Sequence, residues 1–514
     1  MIGNVRRLGG YLLIAFFIVS GGLTWWQVLD AQQLAARSDN PQVIAAHQSA
    51  QRGAIFDARG TLLASSAVIG GLSRRTYLDP AFTHLIGYAS LRYGTTGLEK
   101  AYDDLLTGRA DPNPLNSIVD DIMGRQPEPN DLTLTIDRRL QDFAAKQLSG
   151  LIGAVVAIDP KTGAILAMTS TPTFNATAIS GDPATATAPM AAIVGNVTRP
   201  LIDRSRQGVY TPGSIMKVLT ASAALDSGAI TTQTTFPDQP RQETTGFKIG
   251  GFTIREHDLG NLQPALWSLS QAMQVSSNIF FAHVGLEIGA DRLLDYAKRF
   301  GFCSGLAIGS GSRSLPVSAS YVTRRAQGGG CSPFADDPEL ASAAFGQAQV
   351  AVTPFQMALV AATVANDGVR PETYVVRDVR AHTAIPAKGP SPSIVTTTSP
   401  GFEQRVISSQ TAGEVRAAMV DAVQGPLGKL YAGSANVRLY GAGGVYTAGK
   451  TGTAQRSAGL APHSWFVGFA PAQGGATPAI ALAVIIEGGG AGSGRAAPIG
   501  GRVMAEWLKL LAGS

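Results

Sequence analysis

The chain has 514 residues, a net charge of +5 and only 15% charged side chains. This length exceeds one ordinary domain and can bury a large core, so at least two units are expected. Charge so sparse and scattered excludes a nucleic-acid surface: no long Lys/Arg run occurs, and Cys and His show no zinc-like spacing, so neither a metal nor any cofactor is expected.

At the N-terminus, Arg6 and Arg7 precede an uncharged apolar stretch from Leu8 to Leu29 that contains Trp25 and Trp26. About 20 apolar residues span a bilayer. Residues 8–29 are therefore read as a single transmembrane helix, with residues 1–7 cytoplasmic and the tryptophans at the outer interface. The rest of the chain is then extracytoplasmic. A cleaved signal peptide is the competing reading; against it, the segment is longer than the usual h-region of about 7 to 15 residues and no clear small-x-small cleavage site follows. No second span is visible. Cys303 and Cys331 suit an oxidising compartment, where they either pair across the Gly328-Gly329-Gly330 stretch or stand as two free buried thiols.

Residues 30–128 read as a small, mostly β pedestal. Arg52 to Ala64 alternates apolar and polar residues around a Gly turn, which predicts a hairpin, and residues 97–107 read as a short amphipathic helix. Asp111 to Pro129 is rich in Pro, Asn and Asp and reads as a linker. The larger unit, residues 129–514, opens with a strand at Leu132–Ile136 and a helix to about Leu148 capped by Asp137. Residues 154–168 form a predicted hairpin. Helices are expected over 214–227, 264–275, 278–288, 290–300 and 354–366, and strands over 464–470 and 480–487. Strands early and late with helices between predict an α/β fold, an antiparallel sheet flanked by helices whose first and last strands are neighbours.

Three strings carry the chemistry. Tyr210-Thr-Pro-Gly-Ser214 breaks the chain just before an apolar periodic run, placing Ser214 at a helix start with Lys217 one turn on and on the same face. A hydroxyl is a weak nucleophile until a base takes its proton, and a lysine does so only when burial or a neighbouring cation depresses its pKa. Ser276 and Asn278 follow an apolar helix, where a hydroxyl can relay a proton and an amide can hold the Lys217 amine or a substrate amide. Lys450-Thr451-Gly452-Thr453 precedes the apolar Trp465 to Phe469 run; its cation and hydroxyls suit a substrate carboxylate, and its glycine allows close backbone approach on an edge strand. Each string alone is weak, since a bare Ser-x-x-Lys arises by chance on the order of once in such a chain. Together and in order they read as a serine acyl-transfer site.

This set resembles that of the penicillin-binding proteins. The chain resembles a class B penicillin-binding protein, most closely the short penicillin-binding protein A group, through the anchor, the Arg52-Gly53 to Gly60 segment, Ser90 to Glu99, Leu132 to Asp137, the three motifs, and Ser464 to Pro471. The resemblance implies a β-lactamase-like penicillin-binding domain catalysing D,D-transpeptidation of peptidoglycan stem peptides ending in D-Ala-D-Ala, with β-lactams as trapping mimics. It implies Ser214 as nucleophile, Lys217 as its base, Ser276 and Asn278 as the second motif, and Lys450, Thr451, Gly452 and Thr453 as the donor-carboxylate group. The backbone N–H groups of Ser214 and Thr453 form the implied oxyanion hole, and a multi-spanning membrane glycosyltransferase is the implied partner.

A D,D-carboxypeptidase and a catalytically silent scaffold are the alternatives in function. A class A β-lactamase would be shorter, with Asp where Ser277 stands; a bifunctional enzyme needs a polymerase domain that about 100 residues before Leu132 do not hold.

Overall fold

The computed structural model describes residues 2–25, 51–69, 72–109, 128–260, 262–399, 401–427, 445–456 and 459–513. Helix Ile2–Thr24 contains a stretch, Arg6–Thr24, long and apolar enough to cross a membrane, and the large apolar side chains of that stretch are exposed. The remainder of the predicted span, residues 26–29, and nearly all of the predicted linker lie outside the described residues.

The architecture follows from five antiparallel strands in the spatial order Ala448–Ala454, His463–Ala470, Ile480–Ile486, Gly153–Ile158, Ile165–Thr171. The first strand of the predicted 154–168 hairpin and the last predicted strand are neighbours, Val155 facing Val484 in register, whereas the strand expected from Leu132 joins another sheet. Alternate residues of a strand point to opposite faces. Trp465, Val467 and Phe469, with Ala481, Ala483 and Ile485, join a core shared with helices Lys217–Asp226, Asn278–Ile288 and Pro354–Ala365. Phe466, Leu482 and Val484 join a second core beneath helices Arg138–Gln147 and Ala496–Ala512. Because both faces are covered, the central strands read as continuous apolar runs rather than as alternating ones. Helix Pro354–Ala365 is buried along its whole length.

A second sheet of six strands is ordered Ile394–Thr397, Val376–Ala381, Asn130–Leu134, Ile55–Phe56, Leu62–Ile69, Leu72–Tyr77. Its first two strands come from late in the chain, so the N-terminal sheet is completed by segments far away in sequence. Buried charge fastens it to the short helices beside it. The Glu99 carboxylate accepts from Arg52 Nε at 2.8 Å and Arg75 Nε at 2.7 Å, and Asp103 takes a second Arg52 nitrogen at 2.6 Å. Removing Glu99 takes away the carboxylate that pairs with buried Arg75.

Several elements differ from expectation. The helix expected over 264–275 is Leu269–Val275: Ser268 and Gln271 form a capping box that fixes a later start. The helix expected over 97–107 is split into Gly97–Ala101 and Asp103–Leu106 by Tyr102, whose φ of −117° leaves the helical region. The strand expected from Leu132 begins at Asn130 and ends at Leu134, while Asp137 caps the next helix by accepting from Arg139 N. Cys303 and Cys331 form a disulfide with a Cα separation of 5.0 Å.

Candidate active site

Ser214 lies in a 3-10 turn, Gly213–Met216, that runs into helix Lys217–Asp226. The turn presses against the edge strand Ala448–Ala454. Gly213 has φ +59°, and a Cβ there would sit 2.9 Å from the Thr453 carbonyl oxygen; a Cβ on Gly452 would sit 2.7 Å from that of Pro212. Only glycine permits this approach. Trp465, on the neighbouring strand, donates from Nε1 to Thr211 O at 3.0 Å and ties the turn to the sheet from the other side.

The second motif sits at a break between two helices. Ser276 ends helix Leu269–Val275 in the left-handed region, with φ 60° and ψ 36°, and Ser277 caps helix Asn278–Ile288 by accepting from Phe280 N. The reversal turns the side chains of Ser276 and Asn278 toward Lys217.

Lys217 is wholly buried, and its Nζ lies 3.0 Å from Ser214 Oγ, 2.9 Å from Asn278 Oδ1, 3.2 Å from Ser276 Oγ and in hydrogen-bond contact with Ser276 O. The ring of Phe281 lies 5.6 Å away. Lys450, also buried, donates to Ser276 Oγ at 2.8 Å and to Thr451 O at 3.1 Å. Two amines thus share one serine hydroxyl, and among the described residues no carboxylate is ion-paired with either.

A carbonyl oxygen only accepts, so Ser276 O and Asn278 Oδ1 claim two Lys217 N–H groups. What remains of Nζ faces the two hydroxyls. Burial, and then the positive charge of Lys450, press the Lys217 pKa well below its ordinary value, with Glu256 opposing them. Burial brings Lys450 down to about 7. A neutral Lys217 carries two protons and a lone pair, and the lone pair is then directed at the hydroxyls.

A cleft of about 320 Å³ opens above the lysines, lined by Ser214, Ser276, Asn278, Thr451 and Thr453. All eight residues singled out from the sequence are therefore gathered at one place, five at the cleft wall and Lys217, Lys450 and Gly452 beneath or beside it. His257, Asp258 and Gln347 also line it. They escaped the sequence reading because none belongs to a motif. Glu256 escaped it too: its side chain is 2% exposed, and it accepts from Asn278 N at 2.8 Å, Ile279 N at 3.1 Å and the Ser277 hydroxyl at 2.7 Å. The only sequence cue was a charged Arg255-Glu256-His257-Asp258 cluster after a short strand.

Comparison with known proteins gives the family. A family model described as the penicillin binding protein transpeptidase domain matches residues 153–505, and one described as the penicillin binding protein A dimerisation domain matches residues 52–132. The peptidoglycan D,D-transpeptidase PbpA of Mycolicibacterium smegmatis is 32% identical, covering 98% of this chain and 99% of that protein. The peptidoglycan D,D-transpeptidase MrdA of Acinetobacter baumannii is 30% identical over 81% of this chain and 60% of its own length. The structure of penicillin-binding protein A from M. tuberculosis as its penicillin G acyl-enzyme complex superposes with a TM-score of 0.74 at 31% identity, covering 90% of this chain and 100% of that one.

Burying Lys450 has a measurable cost. Its folded pKa lies below its unfolded one, so between about pH 7 and 10.5 the unfolded chain binds more protons and stability rises with pH. Replacing Lys450 with Met removes that dependence. The variant is expected to unfold at a higher temperature than the parent at pH 7, with the advantage shrinking by up to about 1.4 kcal/mol per pH unit toward pH 10. Thermal unfolding of both proteins across that range checks it.

Proposed function

The chain belongs to the penicillin-binding protein transpeptidase family, and on that premise we propose that it is a serine D,D-transpeptidase acting through a Ser214 acyl-enzyme. The observation that carries this reading is the contact set of Lys217, two carbonyl acceptors and the Ser214 hydroxyl around one buried amine. The lone pair of Lys217 takes the Ser214 proton as Oγ attacks the amide carbonyl of a D-Ala-D-Ala terminus. The N–H groups of Ser214 and Thr453, brought together by the Gly213 approach, receive the developing oxyanion; donors of this kind contribute about 10² to 10³ in rate each. As the C–N bond breaks, the Ser276 hydroxyl passes a proton to the departing D-Ala amine and is replenished from the lysines it contacts. An amine of a second stem peptide then attacks the acyl-enzyme, returns its proton by the same route and frees Ser214.

Lys450, Thr451 and Thr453 hold the donor carboxylate, and Gly452 lets the strand that carries them close against the Ser214 turn. A β-lactam presents the same amide and carboxylate, but its opened ring stays attached, so Ser214 remains acylated. The protein is expected to form a covalent adduct at Ser214 with labelled penicillin, detected by mass spectrometry of the modified peptide. The Ser214→Ala variant is expected to form none while unfolding at the parental temperature. Lys217→Ala is expected to slow adduct formation by about 10² to 10⁴. Persistence of the adduct in Ser214→Ala overturns the assignment.

We infer further that the catalytic unit, residues 129–514, lies outside the cytoplasm on a single-pass anchor, residues 8–29, with residues 30–128 as the pedestal and residues 1–7 as the cytoplasmic tail; the exposed apolar helix near the N-terminus supports this reading. A transpeptidase joins strands that another enzyme polymerises. The partner is a multi-spanning membrane glycosyltransferase, contacted through the anchor and the pedestal. Support comes from exposed apolar side chains at Val68, Ile69 and Leu78 on the pedestal sheet and its flank. A chimera carrying an unrelated anchor and pedestal is expected to keep penicillin labelling and to fail to replace the protein in cells; full replacement would refute the partnership.

A further inference from the structure

Ser277 occupies the middle of the second motif, the position where a β-lactamase would carry Asp. The carboxylate is supplied here from outside the motif. Glu256 follows strand Phe252–Ile254, and its two oxygens accept from the first two N–H groups of helix Asn278–Ile288, those of Asn278 and Ile279, while the Ser277 hydroxyl, itself accepting from Phe280 N at 3.1 Å, donates to Glu256 Oε2. The residue whose backbone is held in this way, Asn278, is the one whose side-chain oxygen accepts from Lys217.

We propose that Glu256 is a positioning residue for acylation, fixing Asn278 and the Ser276–Ser277 turn against Lys217 so that the amine stays aimed at Ser214. This rests on the acyl-enzyme reading above. A carboxylate that only capped the helix would need one oxygen and could stand in solvent. Glu256 uses both oxygens, and it is buried between the motif and His257, whose Nδ1 lies 2.7 Å from Oε1.

Its charge also reaches the base. Burial pushes the Glu256 pKa up, yet the hydrogen bond and charge of His257, the charge of Lys217 and the Asn278 N–H hold it down to about 2. Nearby Glu243 accepts from Trp267 Nε1 at 2.6 Å and Gln239 Nε2 at 2.7 Å, and burial raises its pKa, with Glu256 adding to the rise. Of the two carboxylates that approach the Ser277 hydroxyl, Glu256 is the one held below its ordinary pKa. The charged groups acting on Lys217 are Lys450, from the edge strand, and Glu256, from the opposite side. Glu256 opposes the effect of Lys450, so deleting its charge makes Lys217 lose its proton at lower pH.

The experiment measures the rate constant for acylation by labelled penicillin against pH, with thermal unfolding, for the whole protein in detergent. Glu256→Gln keeps the size and loses the charge. It is expected to lower the maximal rate by about tenfold to 100-fold, the scale of a misplaced catalytic group, and to move the midpoint of the rate profile toward acid. Glu256→Asp keeps the charge and shortens the reach, and is expected to slow acylation with the midpoint unmoved. A lower unfolding temperature with parental rate and midpoint in both variants would reduce Glu256 to a helix cap and overturn the inference. Should Glu256→Gln not fold, Glu256→Asp decides it: slower acylation supports the inference and parental rates overturn it. If the parent itself forms no adduct, the acyl-enzyme reading falls and takes this inference with it.

Discussion

Two lysine amines buried around one serine hydroxyl, with no ion-paired carboxylate among the described residues, are the constraint on which the site depends. A buried ammonium loses its hydration, and that cost lowers the pKa of both lysines. Lys217 and Lys450 each approach Ser276 Oγ, so a charge on one raises the cost of a charge on the other. The burial that makes this site expensive for the fold is what presses the Lys217 pKa down, as the proposed base role requires.

Such an arrangement holds only if the three motifs cannot drift apart. Ser214 and Lys217 lie on a turn and helix packed on the sheet, Lys450 lies on the sheet's edge, and Ser276 to Asn278 lie in a helix break. The fully buried helix Pro354–Ala365 packs under the sheet against its central strands and touches helix Lys217–Asp226. The sheet is covered on both faces, so its edge strand has little freedom to shift relative to the turn it abuts. The Trp465 indole completes the clamp. These contacts connect the apolar core to chemistry at Ser214.

Much of this was legible in the sequence because its signals are local. The central strands announce themselves as apolar runs, the Pro-Gly pair before Ser214 marks the turn, and the three motifs lie within short strings. What escaped depends on contacts distant in the chain. Strands Val376–Ala381 and Ile394–Thr397 pass unnoticed because the second hides its role at a sheet edge, with every side chain exposed. Helix Ala496–Ala512 was missed because Pro498, Gly500 and Gly501 sit in its first turns and read as a breaker. Gly500 is there since a Cβ would meet the Phe466 ring at 2.4 Å. Glu256 is the clearest case: its partners lie 21 to 23 residues on, and no periodicity or spacing marks a carboxylate that acts through a helix end.

The central claim is that Lys217 is a neutral amine whose lone pair faces Ser214. Neutron diffraction from deuterated crystals of the protein at neutral pH tests it most directly, because deuterons on Nζ become visible. The account expects two deuterons on Lys217 Nζ, directed at Ser276 O and Asn278 Oδ1, with the Ser214 deuteron pointing at the nitrogen. Three deuterons on Nζ, one of them directed at Ser214 Oγ, would contradict it.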